Sequence, residues 1–208
     1  MSHAFVIGLL GAESTGKTTL AAELGAALAA PGRRVAVVPE YLREFCHRAG
    51  RTPRLNEQAG IAAQQSLRIA EAARSHEIVV ADTTALMIAV YSEQVFGDTS
   101  LYDSALADHA RSSLTLLTAL DLPWQADGLQ RDGPHVREPV DALVRAALAR
   151  AAIDCAVVFG QGPQRLANAL AAVQRALHPP QDDGTKRWQW VCDRCGDAGC
   201  ERHWLASL

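Results

Sequence analysis

Apolar residues gather into five short runs, at residues 4–10, 35–38, 78–81, 114–120 and 155–159. Runs of this length bounded by turn residues predict strands, and the continuous apolar character of the first three predicts burial on both faces. Between them the period changes. Within residues 18–30, Leu20, Leu24 and Leu28 recur every four positions, which predicts a helix ended by Pro31-Gly32. Further helices are predicted over residues 56–75, 86–95, 102–112, 140–150 and 163–177. Strands alternating with helices imply an α/β fold, three layers deep, around a mainly parallel five-stranded sheet. Ligands then belong at the carboxyl ends of the strands. Polar or glycine residues follow every predicted strand, among them Glu40-Tyr41, Asp82-Thr83, Asp121 and Gly160-Gln161-Gly162.

The periodicity stops after Leu177 at a turn-rich stretch, His178-Pro-Pro-Gln-Asp-Asp-Gly184. This predicts a main domain over residues 1–177, a linker over 178–187 and a tail over 188–208. The chain has 208 residues, 49% of them hydrophobic, and 20 Lys+Arg against 23 Asp+Glu give a net charge of −3. That balance disfavours binding nucleic acid through bulk basicity. The first apolar run is too short to span a membrane and has no signal-peptide cleavage pattern, so the chain reads as cytoplasmic and free of membrane partners. A homodimer is compatible with this reading.

Gly11-Ala-Glu-Ser-Thr-Gly16-Lys17-Thr18 fits the phosphate-binding pattern G-x-x-x-x-G-K-[ST], and it stands between a predicted strand and a predicted helix as that reading demands. Glycines let the backbone curl so that N–H groups point at phosphate oxygens, and the helix N-terminus adds its positive end. Gly11, Glu13, Ser14, Thr15, Gly16, Lys17, Thr18 and Thr19 are therefore candidate ATP-binding residues. Lys17 is expected at the β- and γ-phosphates, and Thr18 on Mg²⁺. The guanine-specific N-K-x-D segment is missing from the expected places, and the length is small for ring-forming ATPases with a lid domain. A small phosphotransferase remains.

Asp82, at the end of an apolar strand, is the candidate carboxylate for Mg²⁺. Glu40, at the end of the preceding strand, is the candidate base for an acceptor hydroxyl. Either can also be read as a helix cap. Arg43 is placed to contact an acceptor or to pair near Glu44. Arg131 and Arg137 flank Asp132-Gly133-Pro134, where a lid would deliver a guanidinium to the transferring phosphoryl group. Arg165, beside Gly160-Gln161-Gly162, is a candidate neighbour of the adenine.

Three segments, Gly11-Ala-Glu-Ser-Thr-Gly-Lys-Thr-Thr-Leu20, Glu40-Tyr-Leu-Arg-Glu44 and Asp121-Leu-Pro-Trp-Gln-Ala-Asp-Gly-Leu129, resemble the nicotinamide riboside kinase domain of the bifunctional NAD-biosynthesis regulator and its stand-alone P-loop relatives. The similarity spans about residues 4–177. It implies a nucleoside-kinase-like fold and ATP-dependent phosphorylation of the riboside 5′-hydroxyl to the mononucleotide. It also implies that Glu40, Tyr41 and Arg43 line the acceptor site with the Pro-Trp loop. In that loop Trp124 is suited to a pyridinium ring, a contact contributing about 2 kcal/mol when desolvated, and Asp127 to a ribose hydroxyl. The chain departs from the family in its Asp127-Gly128-Leu129-Gln130-Arg131 run, which shifts the arginine by one position, and it carries no sign of the adenylyltransferase or DNA-binding domains.

Three of the five Cys and three of the four Trp fall in the last 21 residues. Cys192, Cys195, Cys200 and His203 supply the ligand set of a closed tetrahedral zinc site, which would staple a segment too short to build its own core; a free-thiol tail and a redox pair are the alternative readings. The rival to the kinase reading is a nucleotide-dependent ATPase switch whose Cys-rich tail contacts a protein or nucleic acid.

Overall fold

The first apolar run lies in the middle of the sheet. In the computed structural model, which describes residues 4–29, 32–125 and 133–179, that run is strand β1 (Phe5–Leu10). It pairs in parallel with β3 (Ile78–Asp82) on one side and β4 (Leu114–Thr118) on the other. β2 (Val35–Val38) and β5 (Ala156–Val158) form the edges, giving the order β2-β3-β1-β4-β5 with every pairing parallel. Such a sheet must be covered on both faces, which is why its central strands read as unbroken apolar runs.

Successive side chains of β1 point to opposite faces, and the two cores follow that alternation. Ile7 and Leu9 pack with Leu20 and Leu24 of α1 (Lys17–Leu28) and with Ala169 and Val173 of α7 (Gly162–Leu177). Leu10 faces the other way, into a core built on α4 (Ala85–Phe96). Around α4 lie α3 (Leu55–Ser75), α5 (Tyr102–His109) and α6 (Arg137–Arg150). The chain is thus a three-layer α/β fold with a parallel five-stranded sheet, as the pattern predicts.

The differences have local causes. Helix α2 (Tyr41–Ala49) follows β2 after two residues and lies outside the predicted helices: Tyr41, Leu42, Phe45 and Cys46 give it an apolar stripe of helical spacing, but its nine residues are fewer than a window over which such a period is diagnostic. It stops at Gly50, whose φ of 65° is a left-handed cap. A 3-10 turn at Pro134–Val136 runs straight into α6, which therefore starts earlier than its apolar positions suggest.

The chain divides into two units, Met1–Leu177 and His178–Leu208. The expected zinc ligands Cys192, Cys195, Cys200 and His203, and the loop residues Asp127 and Arg131, lie outside the described residues. Among the described residues no helix is long and apolar enough to cross a membrane, and no group of three or more His, Cys, Asp or Glu could hold a metal ion.

His109 closes α5 against the sheet. It is 2% exposed, with Nδ1 3.0 Å from Thr84 Oγ1 and Nε2 2.9 Å from Thr115 Oγ1. Its ring lies so close to the sheet that a Cβ on Gly8 would fall 2.9 Å from Cε1. Burial pushes the imidazole pKa down to about 4, so the folded state holds it neutral. Stability from this residue is complete above the unfolded value of 6.5 and is lost as pH falls from there through about 4. The loss is expected to reach about 3 kcal/mol. Urea unfolding between pH 7.5 and 4.5 should show a steeper decline for the natural protein than for His109→Gln; parallel curves would refute it.

Candidate active site

The P-loop curls after β1 because two of its positions are tied to β4 and its neighbourhood. Gly11 has φ 143°, and a Cβ there would fall 2.1 Å from Thr118 Oγ1. Only glycine fits. Gly16, at φ 75°, turns the chain into α1. Thr15 Oγ1 donates to the Ala12 carbonyl at 2.7 Å and also lies 2.7 Å from Thr118 Oγ1, so the end of β4 props the loop from beneath. Lys17 folds back across the curl and donates to the carbonyls of Gly11 and Ala12, at 2.8 and 2.7 Å.

Asp82 closes β3 and Glu40 lies two residues past the end of β2; both act electrostatically on this lysine, and neither side chain makes a helix-cap bond among the described residues. Thr18 Oγ1 donates to Asp82 Oδ2 at 2.6 Å, while Asp82 Oδ1 is buried without a hydrogen-bond partner among the described residues. The cap of α4 is Thr84, whose side chain accepts from Leu86 N. Glu40 stands at the N-cap position of α2 but makes no side-chain cap bond; its carboxylate lies 3.4 Å from Arg43 Nε. The turn after Asp82 is strained: Thr83 has φ 71°, an outlier for a β-branched residue.

Burial sets the protonation tendencies of the pair. It pushes the Lys17 ammonium pKa down, against the opposing pull of Glu40, Asp82 and Glu13. The same desolvation pushes Glu40 above the usual carboxylate range, only partly countered by Lys17 and Arg43. A carboxylate whose pKa is raised is a stronger base than an ordinary one and is suited to taking a proton from a hydroxyl.

Arg165 fastens the loop from the far side. Its Nη2 donates to the Thr15 carbonyl at 2.6 Å, and its Nη1 to Asp121 Oδ1 at 2.9 Å and the Gly160 carbonyl at 3.0 Å. Asp121 also accepts from Gly160 N–H. Partial burial opposes its ionisation, but the Gly160 N–H and the Arg165 guanidinium hold its carboxyl below the usual range. Residues after β4 fold over the loop: Gln125 N–H donates to Ser14 Oγ at 2.7 Å, and Leu122 packs against Gly16.

Two cavities meet at this point. One, of about 690 Å³, runs along Thr15–Leu20 and is walled by Leu122, Pro123, Gln161 and Arg165. The other, of about 250 Å³, is lined by Glu13, Lys17, Glu40, Gln58, Tyr91 and Phe96, among others. Ser14, Lys17 and Arg43 line both.

Several of the sequence-derived residues therefore converge. Glu13 through Thr19, with Arg43 and Arg165, line one or both cavities, while Glu40 lines the smaller and Asp82 anchors Thr18. Others do not. Tyr41 lines neither cavity; Arg68 lies over its ring at 4.4 Å and Arg48 donates to its hydroxyl. Trp124 also lines neither, although Leu122, Pro123 and Gln125 around it line the larger. Arg137 is buried behind the loop, donating through Nη1 to the Leu122 carbonyl at 2.9 Å. Gln58, Gln65, Tyr91, Phe96, Thr118 and Asp121 were not anticipated as site residues. The two glutamines did leave a signal, since polar side chains in line with Ile61 and Ala62 on α3 have a reason to be buried.

A family model described as an AAA domain matches residues 6–165, about three quarters of the chain. The chain belongs to the AAA domain family. In this AAA domain the match runs from β1 to Arg165, the residue that clasps the P-loop. The fold is shared with NadR in complex with NAD and AMP-PNP, at 20% identity and a TM-score of 0.66, over 91% of this chain and 52% of that one. It is shared with NadR in complex with NR, at 20% identity and a TM-score of 0.69, over 83% of this chain and 50% of that one. Thymidylate kinase from Ehrlichia chaffeensis has the fold at 16% identity and a TM-score of 0.59, over 83% of this chain and 98% of the enzyme. The chain spans about half the length of the NadR chains it matches. No curated protein matches the sequence. At these identities the likeness is one of fold, and the AAA domain has the P-loop nucleoside- and nucleotide-kinase-like architecture that the sequence resemblance implies.

Proposed function

We propose that this protein transfers the terminal phosphoryl group of ATP to the 5′-hydroxyl of a nucleoside, and that the nucleoside is nicotinamide riboside. The observation that carries the reading is the pair of neighbouring cavities that share Ser14, Lys17 and Arg43 in their walls, with a buried carboxyl, Glu40, on the smaller side only. A device that merely hydrolyses ATP has no need of a second cavity on the far side of the P-loop lysine.

ATP, when bound, supplies the phosphoryl group, and Mg²⁺ supplies charge compensation at its oxygens. The residues present fit both. Asp82 Oδ1 is a buried oxygen without a partner among the described residues, on the carboxylate that accepts from the Thr18 hydroxyl, so these two side chains would hold the metal. Lys17 exchanges its two carbonyl contacts for phosphate oxygens and stands at the boundary where charge develops. Glu40 receives the proton of the acceptor hydroxyl, and Arg43, 3.4 Å from it, fixes its orientation. Leu122 and Pro123 cover the larger cavity and limit the access of water.

ADP release measured with and without nicotinamide riboside tests the proposal. Release is expected to rise many-fold with the riboside and to be accompanied by a stoichiometric amount of mononucleotide. Release indifferent to every riboside offered would favour a regulatory ATPase instead.

A further inference from the structure

Helix α3 turns Gln58 and Gln65 toward the interior on one face, with Ile61 and Ala62 between them. Gln65 is fully buried and uses both ends of its amide: the oxygen accepts from Tyr41 N–H at 2.8 Å and the nitrogen donates to the Thr83 carbonyl at 3.2 Å. It fastens the start of α2 to the end of β3. Gln58, two turns earlier, is 4% exposed, yet its Oε1 is buried with no hydrogen-bond partner among the described residues. It lines the smaller cavity.

A buried amide oxygen left without a donor is unfavourable for the protein alone, and leucine would fill the same space without that penalty. No other described residue makes use of this oxygen. The cavity around it is suited to a flat ring: Tyr91 and Phe96 contribute aromatic walls, and Glu13 and Glu40 supply negative charge. Its volume of about 250 Å³ fits a ligand of nucleoside size.

We infer that Gln58 Oε1 accepts a hydrogen bond from the base of the acceptor nucleoside, selecting a base that bears a carboxamide over one that bears a carboxylate. This rests on the nucleoside kinase reading and narrows its substrate class. A carboxamide presents N–H groups to the orphaned oxygen. A carboxylate has no proton to give that oxygen, and even with the Gln58 amide turned to offer its nitrogen it would add another anion to a cavity that already holds Glu13 and Glu40.

The test compares kcat/KM for nicotinamide riboside and nicotinic acid riboside in the natural protein, Gln58→Leu and Gln58→Glu. The natural protein is expected to favour the amide. Gln58→Leu should lose about ten-fold in kcat/KM for the amide through KM, the worth of one hydrogen bond, with little change for the acid or in the KM for ATP. Its thermal midpoint should stay level or rise, an outcome that a structural role for Gln58 would reverse. Gln58→Glu, which retains an acceptor oxygen, should restore the amide and further exclude the acid. If both ribosides react and Gln58→Leu leaves their ratio unchanged, or if the natural protein prefers the acid, the role of Gln58 is overturned while the kinase reading stands. If the natural protein phosphorylates neither, that reading falls and this inference with it.

Discussion

Replacing Lys17 by alanine is expected to lower kcat by on the order of 10²–10³, the loss seen when one charge-stabilising donor is taken from a transition state. The expectation follows from where the ammonium stands. It is buried, lines both cavities, and is held by the carbonyls of Gly11 and Ala12, partners it can leave without disturbing the curl of the loop. Backbone N–H groups and the start of α1 remain in the variant to bind phosphate, so the KM for ATP should change less than kcat. Lys17→Arg should not rescue, because a planar fork cannot take the place of a compact ammonium between two carbonyls. Steady-state ADP release in the presence of riboside gives the answer, and undiminished turnover in Lys17→Ala would remove the lysine from the chemistry.

Glu40→Gln is expected to cost 10²–10⁴ in kcat, the range for a general base. The pH profile makes this prediction specific. Burial raises the Glu40 pKa above 4.5, so the natural enzyme should lose activity on the acid side at a pH above the ordinary carboxylate range. Activity needs the ionised form; it is complete well above the raised pKa and falls as pH drops through it. Arg43 pulls that pKa down. Arg43→Gln should therefore move the acid limb to higher pH, and Glu40→Gln should abolish the limb. A natural profile flat down to pH 4.5, or a limb unmoved by Arg43→Gln, would exclude Glu40 as the base.

The parts of the molecule legible in the sequence were those whose pattern is local. The buried strands, the long helices and the P-loop each fit within a few residues, and their alternation implied the parallel sheet. The Asp82 and Glu40 positions followed from the rule that parallel strands deliver their ends to one edge. Strand order did not follow, since it depends on which apolar faces meet. Helix α2 carries an apolar stripe, Tyr41, Leu42, Phe45 and Cys46, but its nine residues fall short of the length over which a period separates helix from loop. Trp124 and Tyr41 show the reverse difficulty. A motif names residue types, but whether a ring enters a cavity depends on the path of the loop. Here Gln125 N–H donates to Ser14 Oγ and draws the Pro-Trp segment toward the P-loop, while Tyr41 lies beneath Arg68. Gln58 has no motif at all. Its place in the site emerges only once the cavity and the unmet oxygen are seen together.

The clasp between Arg165 and the Thr15 carbonyl joins positions 150 residues apart. The guanidinium comes from the first turn of α7, so the loop is fastened by an element that follows the last strand, far along the chain from its own motif. Undocking of α7 would release the Thr15 carbonyl while every residue of the motif stayed in place, and the motif and the unit that holds it are therefore different parts of the chain.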